Sequence, residues 1–209
     1  MTRRYPVALD LDGRRVVVVG GGTVATARVG HLLDAGADIV VIAPEMSPEL
    51  SALGADRRIV TSLRPVTRSD LDGAHLVLAA TDDRELNRQV LDWAREVAAI
   101  ALAVHDDPAS SGRVPAVVHG VAVSAAVWTE AAAPAVATWV RDQVADVLDD
   151  RVQRLVEVAA ELRSELLEAG VTPTGAVWHE ALDAGMLAGA NEGSRADLKE
   201  CLRACLLSS

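Results

Sequence analysis

The chain has 209 residues, half of them hydrophobic, and its formal net charge is −10 at neutral pH. This length is enough to bury a substantial core, in one large domain or two small ones. The acidic balance and the lack of a basic tract argue against nucleic acid as a partner. No apolar run reaches the roughly 18 residues of a membrane span, and residues 1–6 lack the apolar segment of a secretory signal. We therefore expect a cytoplasmic protein that does not bind membranes.

The most informative segment begins with four consecutive valines, Val16–Val19, and continues into three glycines. The valines predict a buried strand, the glycines a tight turn, and the apolar residues that follow at helical spacing predict a helix. Gly20-x-Gly22-x-x-Ala25 thus lies between a strand and a helix, the context in which this pattern binds the pyrophosphate of a dinucleotide. The alternative is a tight turn in an α/β domain that binds no nucleotide.

Strand and helix patterns alternate through the first half of the chain. Strands are predicted at 39–43, 59–63, 76–80 and 100–104, with helices after the glycine turn, from Ser47 and over 84–97. Near-continuous apolar strands in such an alternation predict a parallel sheet with helices on both faces, a Rossmann-like α/β fold. Ligands of open sheets of this kind bind at the carboxyl ends of the strands. The residues at such ends, which we expect to share one site, are Gly20, Ala43, Thr81 and Asp106.

The pattern changes after Pro115. Residues 116–128 predict a β-hairpin around His119-Gly120, and helices are predicted at 134–147, 149–167, 173–187 and 194–207. We expect a dinucleotide-binding Rossmann-like domain (1–115), a dimerisation element (116–149) and a helical C-terminal domain (150–209). A homodimer is the favoured interpretation of the middle element because two-fold dimers are the commonest oligomers. In the alternative, this element packs on its own Rossmann domain.

The histidines and cysteines show no metal-ligand spacing. His31 is predicted on the first helix and His119 in the hairpin turn, whereas Cys201 and Cys205 lie one helical turn apart near the C-terminus. This cysteine spacing suits packing, and two cysteines complete neither a disulfide framework nor a zinc site. We expect no permanently bound metal.

Six short segments match one protein family in order and spacing over residues 5–150. They are Tyr5-Pro6 with Leu9 and Leu11, Gly20–Ala25, Ala43–Glu45, Ala79–Asp83 with Leu86-Asn87, Val104–Pro108 and Pro115–Val118. Through them the chain resembles the bifunctional precorrin-2 dehydrogenase and sirohydrochlorin ferrochelatase proteins, which include the N-terminal half of siroheme synthase. The glycine motif is generic, whereas Ala79–Asp83 and Asp106–Pro108 are typical of this family.

This resemblance implies an activity in tetrapyrrole metabolism. Members of the family remove hydrogen from precorrin-2 with NAD⁺ to give sirohydrochlorin, and many then insert Fe²⁺ to give sirohaem, a lyase reaction. The resemblance favours NAD over NADP, although the acid that usually follows the second strand is replaced by Ala43, with Glu45 two residues later. The expected cofactor-binding residues are Gly20, Gly22, Thr23, Val24, Ala43, Pro44, Thr81 and Asp82. The alternative role of Thr81 and Asp82 is to cap the following helix.

Asp106 is the expected catalytic residue, since the resemblance implicates the first aspartate of Asp106-Asp107-Pro108 in both reactions. A carboxylate at a strand end could accept a proton during hydride loss or hand over a metal ion. In the alternative, the aspartates cap a solvated turn, which is the role we expect for Asp107. His105 could titrate near neutrality or ligate a metal, but alternation along the strand predicts that it points away from the face of Asp106.

Two segments depart from the family. Ser110–Pro115 stands where members carry Cys-x-Phe-x-Phe-Pro, and Trp128–Pro134 replaces a loop with two glycines. Glu130 would repel a substrate that carries many carboxylates, whereas Arg113 could pair with one of them. Alternatively, Arg113 is an ordinary surface residue. The candidate substrate-binding residues are Arg113, Thr129 and His105.

We therefore expect an NAD-dependent precorrin-2 dehydrogenase, with or without iron insertion, that acts on tetrapyrroles as a homodimer. One alternative is a diverged member with a different substrate, on the strength of Arg113, Trp128 and Glu130. The other is a non-catalytic subunit that binds NAD(H) as a sensor or assembly factor.

Overall fold

The computed structural model describes residues 4–105, 107–130, 133–183 and 194–207. Internal contacts divide the chain into two units, Met1–Val114 and Pro115–Ser209. The strands of the first unit are β1 (Arg15–Val19), β2 (Asp38–Ile42), β3 (Val60–Ser62), β4 (Leu76–Ala79) and β5 (Ile100–Ala103). Its helices are α1 (Thr23–Asp34), α2 (Pro48–Ala55) and α3 (Arg84–Glu96), with a short 3₁₀ helix at Arg68–Leu71.

The five strands form one parallel sheet in the order β3-β2-β1-β4-β5. In its register, Val19 lies opposite both Ile42 of β2 and Ala79 of β4, so these three strands end at the same edge. The strand order reverses between β1 and β4, and open sheets bind their ligands beyond the carboxyl ends at such a point. The predicted Rossmann-like sheet is confirmed.

The four valines of β1 explain why this strand shows no polar alternation. Val16 and Val18 pack in one core layer with residues of α1 and α2. Val17 and Val19 pack in the opposite layer with residues of α3. All four side chains are at most 2% exposed, because a parallel strand with helices on both faces has no side turned to water.

Backbone groups along the outer edge of β5 are hydrogen-bonded to the segment that follows this strand. The Ser111 backbone N–H donates to the Ala101 carbonyl at 2.6 Å. The hydroxyl oxygens of Ser111 and Ser110 accept from the backbone N–H groups of Ala101 and Ala103, both at 3.2 Å. This serine pair therefore covers donors that an edge strand would otherwise leave open to another chain.

The second unit combines a hairpin with helices. An antiparallel pair, β6 (Ala116–His119) and β7 (Ser124–Val127), confirms the predicted hairpin. His119 ends β6 rather than lying in the turn. The helices are α4 (Pro134–Val147), α5 (Asp150–Glu168), α6 (Gly175–Asp183) and α7 (Arg195–Leu207). Residues 184–187 of the predicted third helix lie outside the described residues.

Helices α5, α6 and α7 share a core of their own. Leu162 of α5 and Leu202 of α7 are fully buried, together with neighbouring leucines and Val158. A box of hydrogen bonds between Ser194 and Asp197 caps α7. Across the described residues, no helix is both long and apolar enough to cross a membrane.

Candidate nucleotide site

The first glycine of the turn is required by how closely β1 approaches β4. Gly20 has a φ of +130°, and a Cβ atom there would lie 2.3 Å from the carbonyl oxygen of Ala80. Its backbone N–H donates to the Ile42 carbonyl at 3.0 Å. A side chain would both strain the backbone and collide with the residue that follows β4, so the packing of the sheet alone requires glycine here.

The second glycine is required by the loop that follows β2. A Cβ atom on Gly21 would lie 1.9 Å from the Glu45 carbonyl oxygen. The Ser47 N–H donates to the Gly21 carbonyl at 2.8 Å, and the Ser47 hydroxyl pairs with the Thr26 hydroxyl of α1 at 2.9 Å. Ser47 also accepts from the Leu50 N–H at 3.1 Å, which confirms it as the N-cap of α2. The loop from β2 to α2 is thus held against the glycine turn.

The third glycine faces open space at the start of α1. Nothing lies within 4 Å of a Cβ built on Gly22, which is the N-cap residue of α1 and offers no side-chain hydrogen bond to the first turn. That turn contains no acidic residue. The other two helices of this unit differ, since Ser47 and Glu49 begin α2 and Asp83 and Glu85 begin α3. The positive end of α1 is therefore left for an external anion.

The first turn of α1 also presents exposed side chains. Thr23 is exposed, and Val24 is 46% exposed although it is apolar. Further along the helix, Arg28 is half-buried, and burial lowers the pKa of its guanidinium. The group nevertheless stays charged at neutral pH.

Thr81 follows β4 and is fixed by the side chain of Asn87. The Asn87 Oδ1 atom accepts from the Thr81 N–H at 3.1 Å and from its hydroxyl at 2.8 Å. The Asn87 Nδ2 atom donates to the Thr81 carbonyl at 2.7 Å. Among the described residues, Asn87 is the one polar residue that is buried, with 3% of its surface exposed. The sequence signal for it is a polar residue on the face of α3 that also carries Val90 and Leu91.

The cap of α3 is Asp83, which corrects the alternative role given to Thr81 and Asp82. The Asp83 Oδ1 atom accepts from the N–H groups of Glu85 and Leu86, at 2.9 and 3.1 Å. Thr81 lies two residues before this cap, and its hydroxyl donates to the Asp83 carbonyl and to Asn87. Asp82 is exposed.

The β2 end of the site contains one buried residue and two exposed ones. Ala43 is 5% exposed, and its N–H donates to the Ser62 carbonyl at 3.2 Å. Pro44 and Glu45 are exposed. Together with Gly20 and Thr81, Ala43 therefore lies at one edge of the sheet, as expected from the strand ends.

The segment after β5 is described in part. Asp106 lies outside the described residues, and its neighbour His105 is exposed. The Asp107 Oδ1 atom accepts from the Ala109 N–H at 2.7 Å, and its carbonyl accepts from the Ser110 N–H at 3.0 Å. The prediction that Asp107 is a turn residue is confirmed.

The remaining candidates fall in different units. Arg113 is half-buried near the end of the first unit, whereas Thr129 is half-buried in the second, where its hydroxyl donates to the Ala133 carbonyl at 3.4 Å. The Trp128 indole N–H donates to the Glu130 carboxylate at 3.3 Å. In the described part of the chain, no three His, Cys, Asp or Glu side chains come together as a metal site.

A parallel sheet with a glycine turn, and with an uncapped helix at the point where the strand order reverses, defines a dinucleotide-binding domain. Residues 7–116 match the model of a protein family described as "Putative NAD(P)-binding". The chain belongs to this family. The expected cofactor is thereby confirmed as a nicotinamide adenine dinucleotide.

Individual relatives share the resemblance over more of the chain. "Siroheme synthase" of Gluconacetobacter diazotrophicus is 34% identical over 204 residues, which are 95% of this chain and 43% of the relative. "Siroheme synthase 3" of Aeromonas hydrophila is 34% identical over 161 residues, 77% of this chain and 34% of the relative. The chain thus spans less than half the length of these relatives.

A solved structure extends the likeness to both units. "SirC, precorrin-2 dehydrogenase" superposes with a TM-score of 0.69 and 25% identity, covering 97% of this chain and 98% of that one. The Rossmann-like sheet, the hairpin and the helical C-terminal region therefore recur together in that protein.

Proposed function

We propose that this protein is an NAD-dependent dehydrogenase of precorrin-2 that serves sirohaem synthesis. The observation that carries the proposal is the match to SirC, which extends over nearly the whole of both chains. The siroheme synthase relatives support the same pathway. The open face of Gly22 at the uncapped start of α1 supports the dinucleotide part of the proposal.

The reaction removes one hydride and one proton from precorrin-2. NAD⁺, when bound, accepts the hydride, so that precorrin-2 and NAD⁺ give sirohydrochlorin, NADH and H⁺. The protein's task is to hold the dinucleotide, through Gly22, Thr23 and Val24 at the pyrophosphate and Thr81 beside them, and to take up the proton. We assign the proton to the carboxylate of Asp106, which follows the end of β5 in sequence.

The β2 end of the site supports NAD rather than NADP. Ala43, Pro44 and Glu45 form the start of the loop there, and its single charged residue, Glu45, is exposed. A 2′-phosphate would meet a negative charge and no cation from this loop. We therefore expect NADP⁺ to bind less tightly than NAD⁺.

Arg113, Thr129 and His105 remain the proposed contacts to the carboxylates of the substrate. His105 is exposed, and Arg113 and Thr129 are half-buried. The Trp128 indole N–H donates to the Glu130 carboxylate, and this hydrogen bond weakens the repulsion that Glu130 would exert on an acidic substrate. The alternative for this part of the site is a diverged family member that binds a different substrate.

A homodimer is part of the proposal. Among the described residues, the hairpin strands have no fully buried side chain, and Ala137 is the buried residue of α4. Val136, Trp139 and Val147 of α4 are 50–67% exposed. An apolar face of this kind is typical of an interface with a second copy. The elements 116–149 and 150–209 stay predictions as separate domains.

Iron insertion and a cytoplasmic location complete the proposal. The siroheme synthase relatives support Fe²⁺ as a second substrate, which would make the protein a lyase as well. Among the described residues, Cys201 and Cys205 form no disulfide, as is usual in a reducing compartment. Sirohydrochlorin with Fe²⁺ or Co²⁺ tests the insertion by the absorbance of the metallated product.

Anaerobic incubation with precorrin-2 and NAD⁺ tests the main activity. We expect sirohydrochlorin and NADH in equal amounts, and no turnover by a folded protein would contradict the proposal. The matched pair Asp106→Asn and Asp107→Asn then tests the proton acceptor. Asp106→Asn should abolish turnover and spare NAD⁺ binding, whereas Asp107→Asn keeps the acceptor atom for the turn and should stay active. A protein that binds NAD(H) without turnover would be the sensor alternative.

A further inference from the structure

The hydroxyl hydrogen of Thr81 is already used within the protein. Its Oγ1 atom lies 2.8 Å from Asn87 Oδ1 and 3.0 Å from the Asp83 carbonyl oxygen. Neither of these oxygens carries a hydrogen, so Thr81 must be the donor in both contacts. One hydroxyl hydrogen is therefore shared between two acceptors, and only the lone pairs of the oxygen remain for a ligand.

The orientation of the Asn87 amide follows from backbone groups alone. The Thr81 N–H can only donate, so the atom 3.1 Å away must be Oδ1. The Thr81 carbonyl can only accept, so the atom 2.7 Å away must be Nδ2. An aspartate, a leucine or a serine at this position would leave at least one of these buried groups unpaired. Asn87 thus holds the whole of Thr81, backbone and side chain, in one orientation.

Thr81 also lies next to the glycine turn. A Cβ on Gly20 would be 3.2 Å from the Thr81 N–H nitrogen, so the two residues line the same point where the strand order reverses. A dinucleotide at this point presents two kinds of polar group. Its pyrophosphate oxygens only accept hydrogen bonds, whereas its ribose hydroxyls and its carboxamide N–H groups donate them.

We propose that Thr81 binds the dinucleotide as a hydrogen-bond acceptor for a ribose hydroxyl or a carboxamide N–H, and that Asn87 is the positioning residue that fixes Thr81 in this role. The inference rests on the proposed function, because it assumes that the ligand is NAD. In this arrangement the pyrophosphate binds at the turn that contains Gly22, and Thr81 does not bind the pyrophosphate.

A double-mutant cycle on NAD⁺ affinity tests the link between the two side chains. Thr81→Val removes the acceptor, and Asn87→Ala frees Thr81 to rotate, so each should weaken NAD⁺ binding about tenfold, the worth of one hydrogen bond. Because both act on the same contact, the double variant should bind no more weakly than the weaker single variant. Thr81→Ser should restore binding. Losses that multiply to about a hundredfold would overturn the positioning role.

Calorimetry of the apo variants keeps the result separate from a loss of folding. If Asn87→Ala does not fold, Asn87→Ser replaces it in the cycle, since the shorter side chain also releases the Thr81 hydroxyl and keeps a hydroxyl of its own for a buried backbone group. If the Asn87 substitution still weakens NAD⁺ binding in a protein that already carries Thr81→Val, the proposal is again overturned. A protein that binds NAD⁺ in this way but does not oxidise precorrin-2 would contradict the proposed function and leave this inference standing.

Ligand analogues distinguish the donor groups. The 3-acetylpyridine analogue of NAD⁺ lacks the carboxamide N–H groups. A loss with Thr81→Val that is equal for NAD⁺ and for the analogue assigns the ribose hydroxyl, and a loss for NAD⁺ alone assigns the carboxamide. Inorganic pyrophosphate should bind wild type and Thr81→Val equally. An equal loss for pyrophosphate and NAD⁺ would contradict the acceptor role.

Discussion

The β-structure of the two units is built in different ways. In the first unit, every valine of β1 is buried between two helical layers, and the outer edge of β5 is covered by the chain that follows. In the second, the described hairpin has no fully buried side chain, and Trp139 on the neighbouring α4 is 63% exposed. The first unit thus forms its site from its own core. The hairpin and α4 depend on something else to bury their apolar surface.

The largest effect should come from filling the tight part of the glycine turn. Gly20→Ala adds a Cβ 2.3 Å from a backbone oxygen at a positive φ, so we expect a loss of about 4 kcal/mol in the free energy of unfolding. Urea denaturation measures it. Gly30→Ala on α1 is the matched control, because nothing lies within 4 Å of its Cβ and it should stabilise the helix by about 0.5–1 kcal/mol. Equal stability of the two variants would contradict the packing described for the turn.

The next largest effect should come from a substitution in the buried core of the second unit, which we compare with a substitution on the exposed face of α4. Leu162→Ala empties a fully buried position of α5 and should cost about 3 kcal/mol. Trp139→Glu should leave the fold of the monomer intact but dissociate the proposed dimer, as measured by analytical ultracentrifugation beside wild type. A dimer that persists in Trp139→Glu would show that α4 is not the interface.

A smaller effect should come from the ion pair between Arg64 and Asp70, which lies in the 3₁₀ helix of the first unit. The Arg64 guanidinium, 2.5 Å from the carboxylate, holds the pKa of Asp70 well below its usual range, with help from the N–H and hydroxyl of Thr67. A lowered pKa in the folded state stabilises the fold above the unfolded pKa of about 4, and this stability is lost as the pH falls through the folded value. Asp70→Asn should thus be less stable than wild type at pH 7, with the difference shrinking steadily below about pH 4. A stability difference between wild type and Asp70→Asn that does not change with pH would contradict a lowered pKa of Asp70.

The sequence predicts those features that depend on neighbours along the chain. The run Val16–Val19 predicts its own burial, because a strand that is covered on both faces shows no polar alternation. Ser47-Pro48 predicts the start of α2, since the cap and the first helical position are adjacent. The choice of Asp83 over Thr81 and Asp82 as the cap is not predictable in this way, because threonine and aspartate both cap helices.

The features that the sequence does not predict join distant parts of the chain. The hydroxyl pair of Thr26 and Ser47 and the close contact of Gly21 with the next loop link residues more than 20 positions apart. These two contacts follow from the sheet order, which periodicity does not encode. The pair of Asn87 and Thr81 is local, six positions apart, but the sequence shows only a polar residue on an apolar helix face and not the groups that it binds.

The affinity of Gly22→Ala for NAD⁺ tests the central claim most directly. Gly22 has no neighbour that a Cβ would touch and an ordinary φ of −86°, so alanine should cost no more than about 1 kcal/mol of stability, the price of a poorer cap. If the pyrophosphate binds at the start of α1, the added methyl group should weaken NAD⁺ binding at least about tenfold. Unchanged NAD⁺ affinity in a folded Gly22→Ala protein would contradict the assignment of this turn as the dinucleotide site.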